Sequence, residues 1–299
     1  MRDSLIDLIK KTIVFQYSLP NIDPAITKTV HTHEEDHCYK VDNENDIVTI
    51  IYNGIIDYSY NETKIDLTKL EALQIRALKS KLRYNEDSDN ITKQKYGFYG
   101  EILLYVILNT IYGVETLISR GYFYNPLENS ETKGYDTYQL IEKRDESIEL
   151  WFGEVKFYED YKAALRKIFD NIDKAISDDY LNKNIIAISD RGEFNVVDSK
   201  IEQIVKAWED NPEINIVDEI KKHNMSFIYP ILVVFDHKNK QYDDLIAELI
   251  DHINSTYPLK DFALTIDYKI FFIFLPMSEV GKIKREVIQW IESKQPLIS

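Results

Sequence analysis

The chain has 299 residues, a single cysteine and a formal net charge of −15 at pH 7. This length is typical of one or two domains, and a hydrophobic content of 44% is enough for a packed core. The longest apolar run, residues 270–277, is too short to span a bilayer, and the N-terminus shows no signal-peptide pattern. Because Cys38 cannot form an internal disulfide, we expect a cytoplasmic protein without a membrane segment.

The acidic charge limits the ways in which the chain could bind nucleic acid. Nucleic-acid-binding proteins usually carry a basic surface, whereas a net charge of −15 repels DNA or RNA at long range. A locally basic face, a metal ion or a partner protein would have to supply the attraction. An acidic protein that binds a basic partner would have the same composition.

The first 90 residues predict a region rich in strands. A short helix within residues 1–20 precedes a loop at 20–24, and residues 30–60 predict two or three strands, including 46–52 and 55–60 around an Asn53-Gly54 turn. Residues 66–83 have the apolar spacing of a helix. A basic stripe runs along this helix and is formed by Lys64, Lys69, Arg76, Lys79, Lys81 and Arg83. A solvated face, DNA contact and partner docking all remain open for this stripe.

Residues 91–299 predict helices that alternate with strands. Residues 84–95 form a predicted loop, and the apolar helix at 96–112 ends at Gly113. The predicted elements that follow are a hairpin at 134–157, helices at 158–178, 201–209, 242–257 and 279–294, strands at 226–235 and 262–275, and a strand or irregular segment at 184–189. This alternation favours an α/β fold with a mixed central sheet flanked by helices. We therefore expect an N-terminal region, 1–90, packed on a core formed by 91–299.

The hairpin at 134–157 contains the most informative charges. Asp136 lies near the start of its first strand, and Glu154 and Lys156 lie near the end of its second. In an antiparallel pair these positions meet at one end of the sheet. Burying the acid and the ammonium costs free energy unless they pair or bind a metal ion. The pattern predicts a divalent-metal site beside a lysine, and a purely structural ion pair is the alternative.

Glu101 is the one charged residue in the predicted helix 96–112. A helix that is apolar on nearly every side is buried, so this carboxylate needs a cation, unless it serves only to stabilise the helix N-terminus. The preceding Gly100 would allow another backbone or a substrate to approach closely.

The spacing acid-x-Lys is not specific by itself, because eight other such pairs occur in the chain. Among these, Asp267/Lys269 also falls in a predicted strand, but it lacks an acid on a preceding hairpin strand and a glutamate on an upstream apolar helix. The order helix-Glu, strand-Asp, strand-Glu-x-Lys, helix is found in a single set of residues, formed by Glu101, Asp136, Glu154 and Lys156.

This order resembles the PD-(D/E)xK nuclease superfamily over residues 96–180, with 226–235 as a later core strand. Tyr135 stands where that superfamily has its proline. Within the superfamily the chain is similar to the HamA family, the nuclease subunit of the Hachiman anti-phage defence system. The similar features are Tyr-Gly-Glu at 99–101, Gly-Tyr-Asp at 134–136 and Trp-Phe-Gly-Glu-Val-Lys-Phe at 151–157, followed by a charged helix.

The resemblance implies a restriction-endonuclease-like core and a deoxyribonuclease that depends on Mg²⁺ or Mn²⁺. Asp136 and Glu154 would hold the metal with the carbonyl of Val155. Glu101 would support a metal-bound water or a second ion, and Lys156 would orient or deprotonate the attacking water. Basic residues of the hairpin turn and the following helix would contact phosphates, namely Lys143, Arg144, Lys162 and Arg166.

The resemblance also implies a helicase partner, similar to HamB, that restrains or delivers the nuclease. Weak binding of free DNA, expected from the net charge, would keep such a nuclease inactive. The alternative from a different class is a non-catalytic assembly or inhibitory subunit that binds a basic partner through its acidic surface. A restriction-type enzyme with its own sequence specificity would instead cut at discrete sites.

A second metal-ligand pattern lies near the N-terminus, at His31, His33, His37 and Cys38. Its spacing matches no closed four-ligand zinc site, and the acids around it predict an exposed segment. No glycine-rich phosphate loop or nucleotide-binding fingerprint occurs, so we do not expect the chain to hydrolyse ATP.

Overall fold

The computed structural model describes residues 1–19, 36–60, 65–117, 124–125, 130–131, 134–189, 200–211, 215–257 and 261–298. The predicted loop at 20–24, together with His31, His33 and Lys64, lies outside these residues. The first elements are α1 (Asp3–Thr12), β1 (Ile13–Leu19), β2 (Asp36–Val41), α2 (Glu44–Ser59), α3 (Leu70–Ser80), α4 (Asn90–Lys93) and α5 (Phe98–Thr110).

The remaining elements alternate strands with helices. The strands after α5 are β3 (Glu115–Thr116), β4 (Tyr124–Asn125), β5 (Ser130–Glu131), β6 (Gln139–Glu142), β7 (Ile148–Trp151) and β8 (Glu154–Phe157). They are followed by α6 (Tyr161–Phe169), α7 (Ile172–Ala175), α8 (Asp178–Ser189), α9 (Lys200–Glu209), α10 (Ile216–Lys222), β9 (Met225–Asp236), α11 (Tyr242–Thr256), β10 (Tyr268–Met277) and α12 (Val280–Ser293).

Within the described residues the strands form a mixed eight-stranded sheet, which confirms the predicted α/β class. Its order is β1-β2-β10-β9-β7-β6-β3, and β8 also pairs with β9. The pairs β2–β10, β10–β9, β9–β7 and β9–β8 are parallel, whereas β1–β2, β7–β6 and β6–β3 are antiparallel. Because β10 covers one edge of β9, both β7 and β8 lie along its other edge, one after the other.

Helices cover both faces of the sheet, and β9 supplies both cores. Ile231 and Val233 belong to the core under α6, α8, α10 and α11, whereas Leu232 and Val234 belong to the core under α1, α2, α5 and α12. A strand that is buried on both faces needs a continuous apolar sequence, and β9 has one. No helix in the described ranges combines the length and apolarity needed to cross a membrane.

The predicted hairpin around Asn53-Gly54 is wrong, because residues 44–59 form the single helix α2. Asn43 begins it by accepting a hydrogen bond from the backbone N–H of Asn45 at 3.2 Å. Its β-branched residues favour strands, but burial against α1, α5 and α12 outweighs that preference. Gly54 serves helix packing rather than a turn, since a Cβ there would lie 2.7 Å from Cγ2 of Ile102.

Other differences concern element boundaries. Residues 184–189, predicted as a strand or irregular segment, belong to α8, and the predicted helix 158–178 is divided into α6 and α7 and the beginning of α8. The segment after α1 forms β1, and α10 was not predicted. β1 and β2 join the same sheet as β9 and β10, so the N-terminal region and the core share it; their division at residue 90 stays a prediction.

Candidate active site

The candidate site is built on the interruption between β7 and β8. Phe152 and Gly153 separate the two strands, and a Cβ at Gly153 would lie 2.9 Å from the carbonyl oxygen of Pro230 on β9. A glycine therefore lets the chain stay close to β9 while it leaves the antiparallel pairing with β6. The predicted hairpin is confirmed for β6 and β7, but Glu154 and Lys156 lie on β8, beyond that pairing.

Asp136 occupies the edge of β8 that faces away from β9. Its Oδ2 accepts a hydrogen bond from the backbone N–H of Val155 at 2.8 Å, and its own N–H donates to the carbonyl of Gly153 at 2.9 Å. These two bonds flank Glu154, so Asp136 lies beside it. Asp136 is in a bend before β6 rather than within a strand, yet the predicted meeting of the acids at one end of the sheet is what the backbone produces.

Glu154 and Lys156 form a direct ion pair on one face of β8. Their side chains are 22% and 18% exposed, so the pair is neither fully solvated nor sealed in the core. Burial acts to lower the pKa of Lys156, but the charges of Glu154 and Asp136 and the hydrogen bond to Glu154 outweigh it, and the pKa is raised. Lys156 therefore holds its proton at neutral pH in this arrangement.

A cavity of about 660 Å³ opens at the same edge of β8. Glu101, Asp136 and Lys156 all line it, whereas Glu154 reaches it only through its pair with Lys156. The wall also contains basic and aromatic side chains that the sequence did not single out, among them Lys95, Tyr96, Tyr158 and Lys284. The cavity therefore combines acids, ammonium groups and ring faces.

Glu101 lies in the first turn of α5 and enters the cavity from the opposite side. The hydroxyl of Tyr58, which is 1% exposed, donates a hydrogen bond to Oε2 of Glu101. The neighbouring Gly100 allows α5 to approach β8, because a Cβ there would lie 3.0 Å from Cγ2 of Val155. The close approach predicted for Gly100 is thus to β8, the strand that carries Glu154 and Lys156.

The donor set suits a hard cation with few protein ligands. Across the described ranges no three side chains of His, Cys, Asp or Glu converge in a metal-binding group, so Glu101, Asp136 and Glu154 do not form one. In an extended strand the N–H and C=O of one residue point to the same side, which directs the Val155 carbonyl toward Asp136. Two carboxylates and a carbonyl fit Mg²⁺, which keeps several waters and uses one or two carboxylates.

A comparison of the sequence with protein-family models shows to which family the chain belongs. The HamA family model matches residues 7–291, and this span includes every residue of the candidate site. The chain belongs to the HamA family. HamA is a component of the Hachiman defence system. A search of curated proteins finds no match.

The predicted phosphate contacts of this HamA-family chain lie outside the cavity wall. Lys143, in the turn between β6 and β7, pairs with Glu149, which is 6% exposed. Arg144 is exposed in the same turn, and Lys162 and Arg166 are exposed on α6. Lys143 is therefore partly neutralised, and the other three are free of the site's acids. Their contact with phosphates stays a prediction.

Lys284 is the main site residue that the sequence did not identify in this HamA-family chain. It lies on α12, and its Nζ donates a hydrogen bond to the carbonyl of Phe157 at 3.0 Å. Burial lowers the pKa of Lys284, and the charge of Glu159 acts in the opposite direction. Two neighbouring basic residues of the amphipathic helix α12, Lys282 and Arg285, are exposed to solvent, so no local pattern indicates that Lys284 enters a cavity.

The structure argues against a HamA zinc site at His37 and Cys38. The two residues are adjacent on β2, so their side chains point to opposite faces of the sheet. Cys38 is buried, and its burial raises the pKa of the thiol, which opposes the thiolate that zinc requires. His37 instead shares a hydrogen bond with the hydroxyl of Tyr112 and stacks on its ring.

Proposed function

We propose that this protein is the nuclease subunit of a Hachiman system and hydrolyses DNA phosphodiester bonds with Mg²⁺ or Mn²⁺. The observation that carries the proposal is the edge of β8, where Asp136 bonds to the strand on both sides of Glu154, with Lys156 next along the same face. Family membership supplies the defence context. The geometry supplies oxygen ligands and an ammonium at the mouth of a cavity.

Asp136 and Glu154 are the proposed metal ligands, with the carbonyl of Val155. When bound, the ion would polarise the scissile phosphate and lower the pKa of a water molecule. Glu154 would release Lys156 on binding the cation, because the divalent ion competes with the ammonium for the negative charge of the same carboxylate. Asp136 would hold the edge of β8 with one oxygen and offer the other to the ion.

Lys156 is proposed to orient the attacking water and to offset the charge of the phosphate. Its ammonium suits this role, because it can donate hydrogen bonds to a water molecule and to phosphate oxygens. Glu101, held by Tyr58, would accept a hydrogen bond from a water in the cavity. Lys143, Arg144, Lys162 and Arg166 remain proposed contacts for more distant phosphates.

A helicase partner similar to HamB is proposed to deliver DNA to the site. The net charge of −15 opposes encounter with free nucleic acid, so a second protein that already holds the strand would raise the local concentration of substrate. The same charge would restrain the isolated nuclease.

A non-catalytic assembly subunit is the second candidate. The closed Glu154–Lys156 pair favours it, because a satisfied ion pair needs no ligand. The lack of a three-ligand group within the described residues points the same way.

Plasmid cleavage separates the two candidates. The full chain, alone and with its helicase partner, would be incubated with supercoiled plasmid in Mg²⁺ or Mn²⁺, and Glu154→Gln would be compared with Asp267→Asn. Asp267 belongs to the other acid-x-Lys pattern that the sequence predicts in a strand; it immediately precedes β10 and is exposed, so it is a matched control. The nuclease proposal expects cleavage by the wild type and by Asp267→Asn only. Intact plasmid with the wild type under every metal and partner condition would support the assembly subunit instead.

A further inference from the structure

Lys284 is a half-buried cation with no carboxylate partner within 4.0 Å in the described part of the chain. Its Nζ donates to the carbonyl of Phe157 and lies 5.2 Å from the ring centre of Phe157 and 5.9 Å from that of Tyr99. One carbonyl and two ring faces leave hydrogen-bond donors of the ammonium unused.

Three other shielded cations in the described ranges are paired with acids. Arg2 binds Asp57, Lys93 binds Glu292, and Lys156 binds Glu154. Acids are abundant, with 51 Asp and Glu against 36 Lys and Arg. Glu159 lines the same cavity and acts on the charge of Lys284, but only from beyond 4.0 Å. Because shielding a charge costs free energy unless an opposite charge meets it directly, this arrangement indicates that a ligand supplies the contacting counter-charge.

The position of Lys284 relative to Asp136 along β8 indicates which kind of ligand it could bind. Val155 and Phe157 are two residues apart, so their N–H and C=O groups point to the same edge of β8, where Asp136 bonds to the first and Lys284 to the second. Two residues of strand span roughly 7 Å. This distance is comparable to the length of one nucleotide unit. The side chains of Asp136 and Lys284 line the same cavity.

We propose that Lys284 binds the backbone phosphate adjacent to the one that is cleaved. The inference rests on the proposed nuclease function and adds to it a substrate-binding residue from α12, outside the set formed by Asp136, Glu154 and Lys156. Lys284 takes no part in proton transfer. It fixes the strand so that the neighbouring phosphate meets the acids.

Salt-dependent binding tests this role. Fluorescence anisotropy would measure the affinity of the full chain for a labelled single-stranded oligonucleotide in Ca²⁺ over a range of salt concentrations, for wild type, Lys284→Ala, Lys284→Arg and Lys282→Ala. Lys282 is the matched control, because it lies on the same helix, is exposed and pairs with Glu286 at 3.7 Å.

A phosphate contact has a specific signature. Lys284→Ala should weaken binding and reduce the slope of log K against log[salt] by roughly 0.7, the contribution of one phosphate on a single strand. Lys284→Arg should keep most of the slope, and Lys282→Ala should match the wild type. Circular dichroism and thermal unfolding would verify that each variant folds.

Three results would overturn the inference. The first is weaker binding by Lys284→Ala with an unchanged salt slope, which would assign Lys284 to packing. The second is no binding by the wild type, and the third is an equal loss of affinity in Lys284→Ala and Lys282→Ala. The assay needs no cleavage, so failure of the nuclease proposal would appear separately, as intact plasmid with a normal Lys284 signature.

Discussion

Two ion pairs in this protein lie in shielded places but differ in what surrounds them. Arg2 and Asp57 have side chains that are 5% and 1% exposed, and Arg2 also donates to the carbonyls of Asn53 and Ile298 at 2.5 Å each. Glu154 and Lys156 are partly exposed beside a cavity of about 660 Å³ that also contains Asp136.

This difference separates a structural ion pair, Arg2–Asp57, from an ion pair that could take part in chemistry, Glu154–Lys156; we call them the structural pair and the chemical pair. Arg2 joins the start of the chain to α2 and to the C-terminal segment, and protein groups use its donors. Glu154 is partly exposed, and Asp136 lines the cavity. A pair whose groups are all satisfied stabilises the fold, whereas acids beside a cavity can exchange a lysine partner for a cation.

Breaking the structural pair should have the largest effect on stability. Asp57→Ala would leave Arg2 buried without its counter-charge, and we expect a loss of about 3–5 kcal/mol in the free energy of unfolding. Urea denaturation measures it. Plasmid cleavage by the folded fraction should persist. A loss below about 1 kcal/mol would mean that the Arg2–Asp57 pair resembles a surface pair.

Breaking the chemical pair should have the opposite profile. Glu154→Gln should reduce metal-dependent cleavage by roughly 100-fold or more, since it removes a proposed metal ligand. Stability should change little, because replacing one member of a partly exposed pair costs much less than opening a buried one. Initial cleavage rates and urea midpoints give the two numbers. If Glu154→Gln were destabilised but fully active, the Glu154–Lys156 pair would be a structural pair, which contradicts the account.

Gly54→Ala tests how closely α2 and α5 pack beside the structural pair. The new methyl group would lie 2.7 Å from Cγ2 of Ile102, so overpacking should destabilise the protein by about 1–3 kcal/mol despite the better helix propensity of alanine. In the double variant Gly54→Ala/Ile102→Leu, the side chain at position 102 branches at Cγ instead of Cβ, which removes the contacting methyl group. This variant should recover part of the lost free energy of unfolding. A stabilised single variant would contradict this packing.

The smallest effect is expected from Tyr58→Phe, at the border between the two regions. It removes the hydrogen bond to Glu101 and should slow cleavage a few-fold, equivalent to about 1 kcal/mol. Tyr105→Phe is the matched control, because Tyr105 packs edge-on against Tyr58 and its hydroxyl contacts Thr116 instead. Equal losses in both variants would assign the effect to packing.

The sequence predicted that Asp136 and Glu154 lie close together, but it predicted some of the surrounding elements wrongly. Asp136 and Glu154 could be brought together because strand geometry is local and the hairpin turn was evident. The interruption at Gly153 could not be predicted, since it depends on β9, which lies over 70 residues later in the chain. α2 was misassigned because its β-branched residues favour strands until α5 and α12 bury them.

Lys284 shows the same limit within the site. It lies in an amphipathic helix between the exposed Lys282 and Arg285, and only the packing of α12 against the end of β8 brings it to Phe157. A residue whose role depends on contacts with distant parts of the chain cannot be recognised from its neighbours in the sequence. The acid-x-Lys spacing and the single charged residue Glu101 in an apolar helix, by contrast, are visible locally.

Locating a bound metal ion tests the central claim most directly. Crystals of the full chain grown with Mn²⁺, analysed by anomalous diffraction, should show an ion that contacts the carboxylates of Asp136 and Glu154 and the carbonyl of Val155 at roughly 2.0–2.3 Å, with Lys156 displaced from Glu154. An ion bound elsewhere with the Glu154–Lys156 pair still closed, in crystals of a preparation that cleaves DNA, would contradict the account.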